Sequence, residues 1–383
     1  MEKIFIPASN AHSQNTAGFI FSLNRECNLR CRHCFLSSEY RSGRQLMTID
    51  TLEQYFTMLE AFLESGFHRL DDVTFLMGGA EVSVVEDAMF EEFAIRIEAF
   101  VHRVSERFTK ITFHFGLHSN FINISTSKFD CIERMSNRAN NRRYDFIAGT
   151  SYEKHSGRFH KPAVQDRWEK NIREFQSRNV PIIVVWAATR EDAADHKEIT
   201  TYLNSLGALY RFVLMIEVGD AADNPDLLPS YAETVNFLRN IFSDNGAGYP
   251  SLSPGNPFEI DRMTTIVVDP DGCVLISPLH QNAVVRFEKT GEFADPSSTS
   301  PLAREPLIFK IGDTTQSEIN EKMQKLWRDC QALDRRYRIE AGCFSCPHYH
   351  FCRGGFMKLR PFYHQPDRCA GFKEFLDERV EVE

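Results

Sequence analysis

The chain has 383 residues with 53 Asp or Glu against 44 Lys or Arg, a formal charge of −9. That length gives a large core and room for two domains, and an acidic balance without clustered positive charge argues against sequence-independent nucleic-acid binding. No window is apolar enough to span a bilayer, and the opening "MEKIFIPASNAHS" lacks the apolar core of a signal peptide. The expected location is therefore the cytoplasm, where thiols stay reduced, and the 10 cysteines read as metal ligands, catalytic groups or core residues rather than disulfides.

The first predicted strand is "GFIFSL" (18–23). It runs directly into "NRECNLRCRHCF", where Cys27, Cys31 and Cys34 are spaced x3 and then x2. "TIDTLEQYFTMLEAFLESG" follows as a helix, with Thr48 or Asp50 as N-cap, Gly66 as stop, and Leu52, Phe56, Leu59 and Leu63 at helical spacing. Further strands are predicted at "VTFLMG" (73–78), "ITFHFGL" (111–117), "DFIAGTS" (145–151), "PIIVVWAAT" (181–189) and "YRFVLMIEV" (210–218). All are short, β-branched or aromatic, and apolar on both faces, as strands buried on both sides are. Between and after them, "EDAMFEEFAIRIEAFVHRV", "AVQDRWEKNIREFQSR", "DHKEITTYLNSLG" and "YAETVNFLRNIFSDNG" read as helices. Such alternation implies a parallel sheet, open or curled into a barrel.

Near residue 245 the pattern changes. "AGYPSLSPGNPFE" reads as a linker, and "TTIVVDPDGCVLIS" as a hairpin around Pro270-Asp271-Gly272. An amphipathic helix, "SEINEKMQKLWRDCQALDRRY", carries Ile319, Met323, Leu326, Trp327, Cys330 and Leu333 on one face. The tail "CFSCPHYHFCRGG" spaces Cys343, Cys346 and Cys352 by x2 and x5, with Cys369 following. The expected division is a barrel over 1–245 and a cysteine-rich extension over 246–383.

The first thiol cluster lies at the C-terminal end of a strand, the edge where parallel α/β folds place active sites. A four-iron cluster wants four ligands. Three thiolates leave one coordination position open, which is how catalytic metal sites differ from closed structural ones. A zinc knuckle or buried core thiols are the alternatives.

This constellation resembles the motif of the radical S-adenosylmethionine (SAM) enzymes. The resemblance implies a partial (β/α)6 barrel of TIM-like type, in agreement with the six strand–helix units. It also implies a [4Fe–4S] cluster on Cys27, Cys31 and Cys34 whose fourth site is chelated by SAM. One electron then cleaves SAM to methionine and a 5′-deoxyadenosyl radical, which takes hydrogen from the substrate. By the same resemblance His33, where an aromatic residue is usual, stacks near the adenine. Gly78, Gly79 and Glu81 stand for the family's Gly-Gly-Glu at the SAM ammonium, with Ala80 placing the acid one residue late. Ser119 and Asn120 match polar residues after the third strand, and Ser151 and Arg158 match a serine and an arginine on the SAM ribose and carboxylate. Arg167 competes with Arg158 but reads as helix surface.

The tail resembles the SPASM extension, which houses auxiliary iron–sulfur clusters. Here Phe356 and Ser277 stand where that pattern has cysteines, so the ligands of one auxiliary cluster are gone. Those of the other, Cys343, Cys346, Cys352 and Cys369, remain and imply a second, fully protein-ligated [4Fe–4S] cluster, with tetrahedral zinc as the alternative. Cys273 is a candidate hydrogen-atom donor, a vestige of the lost site, or packing. Cys131, expected to begin a helix, and Cys330 read as core.

The reading that follows is a radical SAM oxidoreductase maturing a ribosomally made peptide by crosslinking, epimerisation or another oxidation. Its reductant would be of flavodoxin or ferredoxin type. The barrel begins almost at once, so a leader-binding domain would be a separate protein. The rivals are a dehydrogenase or epimerase of a sugar, aminocyclitol or other small metabolite, and a non-catalytic metal-binding or electron-transfer protein. "RRYRIE" (335–340) and "HYHF" (348–351) are candidate substrate contacts, or surface charge and cluster shielding.

Overall fold

The computed structural model describes residues 16–65, 70–243, 264–297, 304, 306–311, 315–352 and 368–379. The predicted stop at Gly66, the linker and Phe356 lie outside the described residues.

The first strand, β1 (Thr16–Ser22), alternates small and aromatic residues, and Ala17, Phe19 and Phe21 are almost wholly buried. Two helices follow, α1 (Ser38–Ser42) and α2 (Ile49–Glu64). Thr48 caps α2, its side chain accepting from the Thr51 amide. Next come β2 (Asp72–Gly78), α3 (Asp87–Arg107), β3 (Thr112–His118), α4 (Thr126–Ala139), β4 (Tyr144–Tyr152), α5 (Pro162–Ser177) and β5 (Ile182–Ala188). The barrel portion is completed by α6 (Arg190–Ala194), α7 (His196–Ser205), β6 (Leu209–Leu214) and α8 (Tyr231–Ser243). The extension holds β7 (Thr264–Val268), β8 (Cys273–Ile276), α9 (Gln281–Thr290), β9 (Ile308–Lys310), α10 (Gln316–Glu340) and the short helices Tyr349–Cys352 and Lys373–Arg379.

Strands β1 to β6 pair in parallel and in chain order. They form the parallel α/β sheet of a partial barrel, as expected from the six apolar runs. A stack of Phe19, Phe21, Phe75 and Phe113 fills one face, with ring centroids 5.4–6.1 Å apart. Strand β6 is shorter than its apolar run: Met215 to Val218 leave the sheet and turn at Gly219, whose φ is +63°.

The extension does not start a new sheet. Strand β7 adds in parallel to the free side of β1, opposing Val268 to Phe21, and β8 and β9 continue antiparallel. The sheet order is β6-β5-β4-β3-β2-β1-β7-β8-β9. The hairpin turn, with Gly272 at φ +86°, therefore arrives beside the loop that leaves β1. Helix α10 buries Ile319, Met323, Leu326, Trp327 and Cys330, and Trp327 meets Phe62 of α2 at 5.5 Å. No helix among the described residues is long and apolar enough to cross a membrane.

Candidate functional site

The thiol loop starts where β1 ends. Register pairs Ser22 with Gly78, so the exits of β1 and β2 lie side by side. Gly79, at φ +140°, lies against Asn24: a Cβ there would sit 2.6 Å from Asn24 Oδ1 and 2.9 Å from its carbonyl oxygen. The Ala80 amide donates to the Asn24 carbonyl at 3.0 Å, and Asn24 Nδ2 to the Glu81 carbonyl at 2.9 Å. Gly78 and Gly79 thus let two strand exits approach closely, the ordinary use of glycine.

The Glu81 carboxylate is buried and committed to donors of this chain. It accepts from Ser119 Oγ at 2.6 Å, the Asn120 amide at 2.7 Å and the Ser83 amide at 2.8 Å. Asn120 in turn donates from Nδ2 to Asn28 Oδ1, inside the thiol loop, at 2.6 Å. Gly79, Glu81, Ser119 and Asn120 are thus assembled against the cysteines. Ser151 lies further along the same edge, its hydroxyl 3.0 Å from His118 Nε2. Arg158 is nearly buried and ion-paired with Glu153, which also lies 3.4 Å from His33 Nε2. Arg167 is on α5 at the surface and reaches Asn123. Cys273 begins β8 fully buried, its thiol 3.3 Å from the Asp271 carboxylate, in a small core with Val267, Leu275 and Val284. Cys131 is buried in the middle of α4 rather than at a helix start.

Four further sets of contacts hold the loop and carry no signal in the local sequence. Arg25 is buried and pairs with Asp269 at 2.7 Å, Asp271 at 3.2 Å and Glu288 at 2.6 Å, all in the extension. The Arg32 amide donates to the Ser156 carbonyl at 3.3 Å, and the Ala221 amide to the Cys34 carbonyl at 3.2 Å. Gly219 lies so close that a Cβ would be 2.1 Å from the Phe35 carbonyl oxygen. Replacing Gly219 with alanine should therefore cost more than the roughly 1–2 kcal/mol of a left-handed backbone, because the neighbour that must move is backbone. The expected result is a lower unfolding midpoint for Gly219→Ala. A variant with parental stability would contradict it.

The loop leaves room in its hydrogen bonding for a bound polar group. Burial pushes the Cys27 thiol up to about 11, with Glu81 adding to it, and the Cys34 thiol up to about 12; Arg41 opposes both. Left alone these sulfurs stay protonated, and a metal cluster would replace their protons. Four buried atoms around the loop, Asn24 Oδ1, His33 Nδ1, Arg41 Nε and Ser156 Oγ, have no hydrogen-bond partner among the described residues. Buried polar groups rarely stay so, and a ligand with amino, carboxylate or hydroxyl groups would satisfy them.

The second set also comes together. Burial and the neighbouring Cys352, Cys369 and Cys346 push the Cys343 thiol up to about 12. A Cβ on Gly371 would meet Cys352 Sγ at 3.2 Å and Cys369 Sγ at 3.6 Å, so the chain uses glycine to pass between two thiols. Four thiols suit a closed, fully protein-ligated centre. Among the described residues, no three His, Cys, Asp or Glu side chains are as close as the ligands of a single metal ion. A cleft of about 440 Å³ lies behind the loop, between α1, the β6 exit and α9, lined by Ser37, Glu217, Gly219, Leu279, Asn282 and Arg286 among others. None of the cysteines lines it, so it is not assigned to the chemistry of the loop.

Burial, with Arg158 and Arg211 adding, lowers the His118 imidazole to about 4. The unfolded chain, with an ordinary value near 6.5, then binds more protons between those limits, so His118 contributes stability above pH ~6.5 that is lost as the pH falls toward ~4. Unfolding followed across that window should show a shallower pH slope for His118→Gln than for the parent. An unchanged slope would remove His118 from the account.

No protein-family model matches the chain, and no curated protein matches it in sequence. Among solved structures it is similar to native anSMEcpe with bound AdoMet and the Cp18Cys peptide, at a TM-score of 0.59 and 14% identity, covering 94% of this chain and 96% of that one. Native anSMEcpe with bound AdoMet alone gives 0.59 and 15%, with 94% and 96% covered. A histidine-tagged form with bound AdoMet gives 0.60 and 14%, with 94% and 92% covered. The likeness spans barrel and extension, and the chain shares the fold of these AdoMet-bound structures.

Proposed function

We propose that the chain is a radical SAM enzyme of the SPASM type, with one [4Fe–4S] cluster on Cys27, Cys31 and Cys34 and a second on Cys343, Cys346, Cys352 and Cys369. The carrying observation is the three-thiol loop at the C-terminal edge of the parallel sheet, with Cys31 buried and Cys27 and Cys34 half-buried. It is ringed by unsatisfied polar atoms, in a fold whose matching structures hold AdoMet. When bound, the first cluster and AdoMet together supply reductive cleavage and a hydrogen-abstracting radical. The residues of the chain do the rest. Cys27, Cys31 and Cys34 would hold the cluster through three thiolates and leave a coordination position for AdoMet. His33 Nδ1 and Ser156 Oγ are buried hydrogen-bonding positions beside the loop. Glu81, through Ser119 and Asn120, ties the exits of β2 and β3 to the loop and keeps its shape.

The substrate is a ribosomally made peptide and the reaction an oxidation such as a crosslink or epimerisation. The peptide bound to anSMEcpe supports that class. The electron comes from a flavodoxin- or ferredoxin-type carrier. The test is anaerobic reconstitution with iron and sulfide, then AdoMet and dithionite. The expected products are 5′-deoxyadenosine and methionine. Intact cluster absorption with neither product would retire the reading.

A further inference from the structure

We infer that Glu153 is a positioning residue of the thiol loop: it fixes the Arg158 guanidinium against the loop at His33 and balances its charge there. This rests on the cluster reading above. Glu153 is the residue after β4, with a side chain 1% exposed, and its carboxylate meets Arg158 on one side and His33 Nε2, at 3.4 Å, on the other. Two partners from different segments thus converge on one buried acid. The segment cannot drift. The His155 amide donates to Asp192 at 3.2 Å, His155 Nε2 lies 2.8 Å from Asp195, and Lys154 pairs with Asp195 at 3.2 Å. From the other side the Ser156 carbonyl accepts the Arg32 amide at 3.3 Å. Because His33 lies between Cys31 and Cys34 in the chain and touches the same carboxylate as Arg158, the ion pair sits against the thiol loop.

A fixed positive charge beside a cluster favours its reduced, more negative state, because reduction potentials follow local charge. The inference therefore predicts signs. In the loaded full-length protein, a redox titration followed by electron paramagnetic resonance should give a higher potential for the first cluster in Glu153→Gln. It should give a lower one in Arg158→Gln, and a value close to the parent in the double variant. Glu153→Asp keeps the charge and should stay near the parent. The auxiliary cluster serves as internal reference and should not move. Shifts of the same sign in both single variants, or fully loaded single variants with parental potentials, would overturn the inference. If Glu153→Gln does not fold, Arg158→Gln and Glu153→Asp still decide it: the first must lower the potential and the second must leave it. A parent that never loads a first cluster overturns the radical SAM reading itself, and with it this inference.

Discussion

Replacing Cys27, Cys31 and Cys34 together by alanine should abolish 5′-deoxyadenosine formation and remove about half of the bound iron, the share of one of two four-iron clusters. The two thiol sets belong to different parts of the chain and are held by different contacts. The first is held by Gly79, Asn120, Ser156 and Gly219, the second by Gly371 and the short helices around it. Neither set lends a ligand to the other, so the remaining iron should stay on Cys343, Cys346, Cys352 and Cys369 with its absorption intact. The converse variant, with those four replaced, should keep the first cluster and still cleave AdoMet, though its substrate turnover is expected to fall. Iron and sulfide analysis with product chromatography reads both variants. Loss of all iron from the first variant would mean that the two sets form one cooperative centre. Persistent 5′-deoxyadenosine would mean that the loop is not the site of cleavage.

Much of this is legible along the chain because it is local. The spacing of Cys27, Cys31 and Cys34 is a property of eight consecutive residues, and the strands β1 to β5 announce themselves as short β-branched and aromatic runs, apolar on both faces. Where burial and strand part, an apolar run overshoots its strand. Met215 and Val218 are buried, but in small clusters with Ala221, Leu227 and Leu279 after the chain has left the sheet. Helix α4 has a weak sequence signal because its core face is only Phe129, Cys131, Ile132, Met135 and Ala139 among polar residues. The contacts that shape the site are another matter. Gly219 against Phe35, Glu153 against His33 and Arg25 against Asp269 join segments far apart in sequence, and neither composition nor periodicity marks them. Arg25 and Asp269 are 244 residues apart.

The Arg25 network is where breaking a single side chain should cost most stability. Arg25 donates from Nε and Nη2 to Asp269 at 3.0 and 2.7 Å. Tyr40 also bonds that carboxylate, and Gln281 reaches both Asp269 and Tyr40, at 3.3 and 2.7 Å. Tyr55 caps the Asp269 carbonyl at 2.8 Å. The Asp269 and Asp271 carboxylates are both deeply buried, so Arg25→Met strands Asp269 without a countercharge and leaves Asp271 only Lys310, at 3.8 Å, and the loss of a buried partner typically costs about 3–5 kcal/mol. Asp269→Asn should cost less, because Arg25 keeps Asp271 and Glu288, and Tyr40 and Gln281 can still bond an amide oxygen. Since the guanidinium sits two residues before Cys27 and its partners lie in the extension, iron in the first cluster should become labile in Arg25→Met while the auxiliary iron stays. Denaturant unfolding and timed iron release check both halves. An Arg25→Met variant within about 1 kcal/mol of the parent would mean that water reaches the two acids and screens them, and that the hairpin is not what holds the loop.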